Sequence, residues 1–398
     1  MTSVQEPSEL ATLGFPEPRA EGCPFDPPPA YRQPAGRVAL WDGMPCWVLT
    51  DYHHVRTVLS DRRFSADVRR PGFPFLSPGR RELVGDQPSF LRQDDPEHQR
   101  LRRMMTGDFL VKRIEQLRPR IQRIVDEALD AMIAKGQPAD LVADFAFPVP
   151  SLVICELLGV PYDDHEYFQE LSRRLLDSTA GPGAVAEALD ALTDYMAQLA
   201  ASKKGEPDGI VARLATRDDL TPEEVASNSV LLLLAGHETT ANMTSLSVLA
   251  LLQNPEQLAR LRAEPELTRG AVEELLRYLT IVHNGVPRTA LEDVEFDDGL
   301  QVRAGEGVLA MLGAANRDEE LFGDGDRLDI GRDARRHLAF GFGVHQCLGQ
   351  PLARVELQIA LATLLRRLPE LRLAIPFEDV RFRTSALIYG LHELPVAW

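Results

Sequence analysis

FGFGVHQCLG, residues Phe340 to Gly349, sets a cysteine in a glycine-rich turn directly before a helix. Gly341, Gly343 and Gly349 permit a tight backbone excursion there. From Pro351 to Leu368, apolar residues recur at Leu352, Val355, Ile359, Ala362 and Leu365, which is helical spacing. Cys347 therefore stands at a helix N-terminus, where free amides and the helix dipole favour a thiolate. Three chemistries use such a thiolate: nucleophilic attack, redox exchange and metal ligation. A nucleophile wants a His–carboxylate relay; His345 is close, but no orienting acid is evident. Redox work wants a resolving cysteine, and Cys23, Cys46 and Cys155 are distant in the chain. That leaves a metal ligand presented alone, as haem iron takes one axial thiolate, with an inert turn cysteine as the alternative.

Upstream lies a long apolar helix. Thr221-Pro222-Glu223-Glu224 opens it with a cap, a first-turn proline and a capping-box glutamate, and Asn254-Pro255 closes it. Some thirty residues at 1.5 Å each span roughly 45 Å, the width of a domain. Between Glu224 and Glu256 the one formal charge is Glu238. Ser227, Asn228, Ser229, Asn242, Ser245 and Ser247 make the segment too polar for lipid, so a buried central helix is expected. At its middle stands Ala235-Gly236-His237-Glu238-Thr239-Thr240. Buried polar groups there need partners. They form either a satisfied cluster back-bonded to helix carbonyls or a proton relay beside a flat cofactor, with Gly236 letting that body approach.

The remaining chain reads as mostly helix with small sheets. With 398 residues, 44% apolar, it is long enough for a large core. Residues 1–36 are Pro-rich and read as an arm, with 37–398 as one domain. Residues 37–49 read as a hairpin around Asp42-Gly43. A second small sheet is expected within 291–313, turning at Asp298-Gly299, and short strands within 371–398. The Pro-, Gly- and Phe-rich stretch Arg69 to Arg92 reads as a long loop, such as a lid. Met1 to Ala20 shows no secretory pattern, and four scattered cysteines suggest neither disulfides nor structural zinc, so a cytoplasmic protein is expected. The net charge of −17 argues against nucleic-acid or anionic-membrane binding.

These segments together resemble the cytochrome P450 superfamily of haem-thiolate monooxygenases. FGFGVHQCLG is similar to its haem-binding signature, AGHETT to its oxygen-activation motif, and Glu274-Leu275-Leu276-Arg277 to its ExxR motif, with Arg327 as third member of that triad. The resemblance runs from about Gly22 to Trp398, and the nearest likeness is to soluble bacterial members acting on vitamin D, macrolides and xenobiotics. Many relatives carry Asp where Glu238 stands here. The implied fold is mainly α, a single large helical domain with small β-sheets and haem between the central helix and the Cys347 helix.

The resemblance also implies roles. Haem b would be held by the Cys347 thiolate, with His98, Arg102, Arg288 and His345 at its propionates and Ala235, Gly236, Phe340, Gly341 and Gly349 around the ring. Glu238 and Thr239 would deliver protons. Leu234, Ala235, Val282, Asn284 and Ile388 are substrate-pocket candidates, although the polar His283 and Asn284 of IVHNG leave substrate identity open. Glu274, Arg277 and Arg327 would be structural. Cys23, Cys46 and Cys155, and His53, His54, His165, His337 and His392, read as packing or surface residues. Expected partners are O2, an apolar small-molecule substrate, ferredoxin and ferredoxin reductase; a monomer is expected. The stretch 100–123 carries eight basic residues against Asp108 and Glu115, a local +6, and reads as a mostly free basic patch able to steer ferredoxin. A peroxide-driven peroxygenase and a non-enzymatic haem sensor are the rival readings.

Overall fold

The computed structural model describes residues 10–19, 23–82, 89–177, 179–205 and 209–398. The signal reading of residues 1–9 and 20, the Gly22 limit of the resemblance and part of the 69–92 loop lie outside these residues.

Nine helices carry the architecture: α1 (Tyr52–Ser60), α2 (Glu97–Thr106), α3 (Val111–Lys135), α4 (Pro148–Leu158), α5 (His165–Leu176), α6 (Pro182–Ser202), α7 (Pro222–Gln253), α8 (Thr268–Leu279) and α9 (Gln350–Arg367). α7 is the helix read from the capping signals. Thr221 Oγ1 accepts from the Glu224 amide and the Glu224 carboxylate accepts from the Thr221 amide, which satisfies two otherwise orphaned donors. Its 32 residues span about 48 Å. It packs against α4, α6, α8 and α9, so its apolar side chains are covered on nearly every side. No helix among the described residues is long and apolar enough to cross a membrane.

Among the described residues, ten short strands form three sheets. β1 (Gly36–Ala39) and β2 (Pro45–Leu49) make the expected hairpin, turning at Gly43 with φ +79°. They continue into β8 (Gly307–Ala310), β5 (Val286–Ala290) and β3 (Phe64–Ser65), with β2 and β8 parallel. β6 (Val294–Glu295) and β7 (Gln301–Val302) pair around Gly299. The stretch 291–313 is thus split: its first half is a separate ribbon, and its last strand joins the N-terminal sheet instead. β4 (Ala139–Asp140), β10 (Pro395–Ala397) and β9 (Arg372–Leu373) close the third sheet.

The N-terminal arm and the 69–92 stretch are both tied to the rest of the chain. The arm is packed in: Tyr31 and Phe25 are buried, Leu13 bonds to Ala39, and Arg19 lies over the Tyr389 ring at 3.6 Å. The 69–92 stretch holds a short helix, Pro78–Glu82, and a 3₁₀ turn, Phe90–Arg92. It is tied down by Trp41 Nε1 donating to Phe75 O and by Arg80 Nη2 donating to Leu175 O, the latter capping the C-terminal end of α5.

Candidate functional site

The turn before α9 closes on itself: the Cys347 amide donates to Phe340 O at 2.9 Å. Gly343 has φ +73°, and a Cβ there would meet Leu59 O at 2.4 Å, so this position admits only glycine. Gly349, by contrast, has an ordinary φ of −79°. Cys347 sits in a recess with its surface accessible but protein close around it. Burial pushes its thiol up and outweighs the Gly349 and Gln350 amides and the Arg102 and Arg354 charges that pull it down. Burial thus opposes the helix N-terminus at this thiol, and a bound cation would favour the thiolate. Among the described residues no three His, Cys, Asp or Glu side chains converge on a metal position. A metal at Cys347 must bring its other ligands with it, as a macrocycle does.

Beside this turn lies a cationic cluster. His98 on α2 and His345 lie with ring centroids 4.0 Å apart and planes tilted by 41°. Their Nε2 and Nδ1 atoms respectively are buried without a partner. His98 Nδ1 meets Asp95 at 3.0 Å, and Arg102, one turn further along α2, donates to Gln346 O beside the cysteine. Arg288 on β5 is buried and among the described residues bonds only to the Pro287 carbonyl; burial brings it down to about 10. Burial, then Arg288, His98, Arg102 and Arg92, drive His345 down to about 2. No described carboxylate forms an ion pair with Arg92, Arg102 or Arg288. Uncompensated guanidiniums and orphaned imidazole nitrogens in a buried site are costly without an anion, and a group with two carboxylates would satisfy them. Haem fits this site. Arg92 is a member that sequence reading missed; its only signal was an arginine just ahead of the Asp95-Pro96 helix start.

On α7, Ala235 and Thr239 are accessible and Glu238 is buried. Thr239 Oγ1 donates back to Ala235 O at 2.7 Å. Glu238 accepts from Arg383 Nη1 and from Asn242 Nδ2 at 3.1 Å. The reason for Gly236 differs from the expected one: a Cβ there would strike Ile154 Cγ1 of α4 at 2.5 Å, so the glycine serves helix packing. Leu234 is partly exposed, and Val282 and Ile388 face each other as a β-bridge, also partly exposed. Asn284 departs from its expected place. It is buried, and both amide atoms are inaccessible and unpartnered, so it does not border accessible space. His283 is likewise turned inward, its Nε2 on Ala386 O.

A family model described as Cytochrome P450 matches residues 184–374. Cytochrome P450-SU2 of Streptomyces griseolus is 59% identical over 404 residues, covering 100% of each chain. The chain is a cytochrome P450. A second relative, vitamin D3 dihydroxylase of Streptomyces griseolus, is 48% identical to this P450 over 98% of each chain. The crystal structure of CYP105P1 in complex with filipin I superposes with a TM-score of 0.90 at 41% identity, covering 98% of this P450 and 99% of that chain.

Two further expectations are corrected within this P450. The ExxR pair is fully buried, with Arg277 Nε and Nη2 on the two Glu274 oxygens at 2.7 and 2.8 Å and Nη1 on Asn316 O and Gly325 O. The third member is Arg332, whose Nε reaches Glu274 Oε1 at 3.2 Å, not Arg327. Arg327 gives only its carbonyl, and its side chain is exposed. Half of the basic residues of 100–123 are in ion pairs: Arg100 with Glu224, Arg113 with Asp108, Arg118 with Glu115 and Arg120 with Glu156. Arg103, Lys112 and Arg123 are its exposed cations without an ion pair among the described residues.

Proposed function

We propose that this P450 monooxygenase inserts one oxygen atom from O2 into a C–H bond, or epoxidises a double bond, of an apolar small molecule of macrolide, sterol-like or xenobiotic type. The observation that carries this reading is the pairing of one accessible thiol at the mouth of α9 with neighbouring guanidiniums, Arg92, Arg102 and Arg288, that no described carboxylate pairs. Cys347 would ligate the iron of haem b, and His98, Arg102, Arg288 and His345, joined by Arg92, would hold its propionates with charge-assisted bonds. When bound, the haem supplies dioxygen activation and oxygen-atom transfer. The protein's own part is proton handling and substrate placement. Thr239 would hold a proton at Oγ1, which here bonds to Ala235 O, and Glu238 would resupply it. Leu234, Ala235, Val282 and Ile388 form the apolar wall against the substrate. The names of the relatives support the substrate class: one acts on vitamin D3, and another was crystallised with filipin I. In this reading residues 1–36 are an arm on a single domain, 37–398, and the protein works as a cytoplasmic monomer.

A spectral binding screen over macrolides, sterols and drugs tests the substrate class. A ligand that moves the Soret band and is then oxidised with O2 uptake supports the reading. Binding without any oxidation by reduced ferredoxin or by peroxide would leave a haem sensor, and oxidation by peroxide alone a peroxygenase.

The relay is tested at Thr239. Thr239→Ala should keep haem content and substrate affinity within about two-fold while most reducing equivalents go to peroxide; Glu238→Gln should slow turnover by about a hundred-fold, the usual worth of a placed proton donor. Unchanged coupling in Thr239→Ala removes that residue from the relay.

Electrons come from reduced nicotinamide through ferredoxin reductase and ferredoxin, docking near the cysteine turn. Arg102 bonds to the carbonyl next to Cys347, so α2 and the α2–α3 corner lie on that side. The corner exposes Leu110 and Val111 beside Arg103 and Lys112, an apolar patch with an unpaired cationic rim. Arg103→Glu with Lys112→Glu should raise the apparent KM for an acidic ferredoxin about ten-fold, less at high salt, and leave substrate-induced spectral shifts unchanged. A reduction rate indifferent to both salt and charge reversal excludes this corner.

A further inference from the structure

Glu238 is the one formal charge in the long apolar run of α7, and its partner comes from the far end of the chain. Arg383 opens a turn whose arms meet at the Phe382–Leu391 bridge, with the Arg383 amide donating to Gly390 O at 2.8 Å. The turn is held from several directions. The Leu387 amide donates to Leu176 O at the end of α5, and the Tyr389 amide donates to Ile281 O. His283 meets Ala386 O, and Tyr389 Oη donates to Pro24 O in the arm. At Gly390 the turn presses on α7 so closely that a Cβ would lie 1.7 Å from Asn242 Oδ1. Asn242 is one helical turn beyond Glu238 and donates to both its backbone and its side chain.

The guanidinium and the amide both bind Glu238 Oε1. No hydrogen bond to Oε2 forms among the described residues. The carboxylate is therefore fixed at one oxygen, and its other oxygen has a set direction. The Arg383 and Glu238 side chains are both nearly buried, so water cannot substitute for either partner. Charged groups near this pair are His237, next along α7, and His392, Arg381 and Glu393 beside the turn.

We propose that Arg383 is a positioning residue for oxygen activation: it anchors Oε1 of Glu238 so that Oε2 alone exchanges protons with Thr239. The inference rests on the proton-relay reading above. Ile388, a substrate-wall candidate, sits on the same turn, so one rigid segment meets the substrate and aims the acid.

Four variants test this in the haem-loaded enzyme: Arg383→Met, Arg383→Lys, Glu238→Gln and Arg383→Met/Glu238→Gln. Arg383→Met should lower coupling of electrons to product about ten-fold. It should also raise the infrared C=O absorption of protonated carboxyl above that of wild type, a gain that the double variant loses. Arg383→Lys, which keeps the charge without the fork, should recover part of the coupling. The double variant should match Glu238→Gln, because Arg383 acts only through Glu238. It leaves no buried charge unpaired, so it stands in where Arg383→Met fails to fold. Wild-type coupling in Arg383→Met, no gain in protonated-carboxyl absorption, or a double variant worse than Glu238→Gln by the full Arg383→Met factor each overturns the inference alone. Wild-type turnover in Glu238→Gln overturns the relay reading itself, and the inference with it.

Discussion

Cys347→Ser is expected to yield a folded protein with no red-shifted Soret band in its reduced carbon monoxide complex and no monooxygenase turnover. A serine hydroxyl is a hard, weakly acidic donor and does not replace a soft thiolate as a strong ligand to haem iron. No other cysteine substitutes. Cys46 and Cys155 are buried, with burial pushing the Cys155 thiol up to about 12, and Cys23 belongs to the arm packed beside Phe25 and Tyr278. The fold should survive because Cys347 contributes its backbone amide, not its side chain, to closing the turn. Thermal unfolding and the carbon monoxide difference spectrum measure the two halves of this expectation separately. A retained red-shifted band in Cys347→Ser would exclude Cys347 as the ligand.

The second large effect is on stability. Glu274→Ala leaves the Arg277 guanidinium and the partly buried Arg332 without their shared carboxylate. Breaking a buried pair in this way costs about 3–5 kcal/mol, against a total stability of about 5–15 kcal/mol. Soluble haem-containing protein should fall to a small fraction of the wild-type yield, and whatever remains should unfold well below the wild-type midpoint. Arg277→Lys should not rescue, since a lysine cannot meet Glu274 and the Asn316 and Gly325 carbonyls together. Arg327→Ala should stay within about 0.5 kcal/mol of wild type, because its side chain is exposed and only its carbonyl is used. Equal losses in Arg327→Ala and Arg332→Ala would restore the triad read from sequence.

The Cys347 turn, the capping box of α7 and the hairpins at Gly43 and Gly299 were legible in the linear chain. Each is built from residues within a few positions of one another, so the local rules for glycine, caps and turns act on them directly. The family motifs pointed to the proposed ligand and the proposed relay pair, because they too are short runs. The remainder of the site depends on which distant segments meet. Glu274 reaches Arg332 across 58 positions, and Glu238 reaches Arg383 across 145. Charge counting made 100–123 look like a free basic patch, yet Glu224 and Glu156 arrive from other helices to neutralise part of it. Asn284 is drawn inward although its neighbours Val282 and Ile388 keep accessible surface, and Arg92 joins the cationic cluster only through the packing of its turn against α2. Sequence alone therefore determined the locally built elements and the position of the candidate thiol. Tertiary packing decided which charges are paired, because pairing depends on distance in space, and that is set by the closure of the chain around α7.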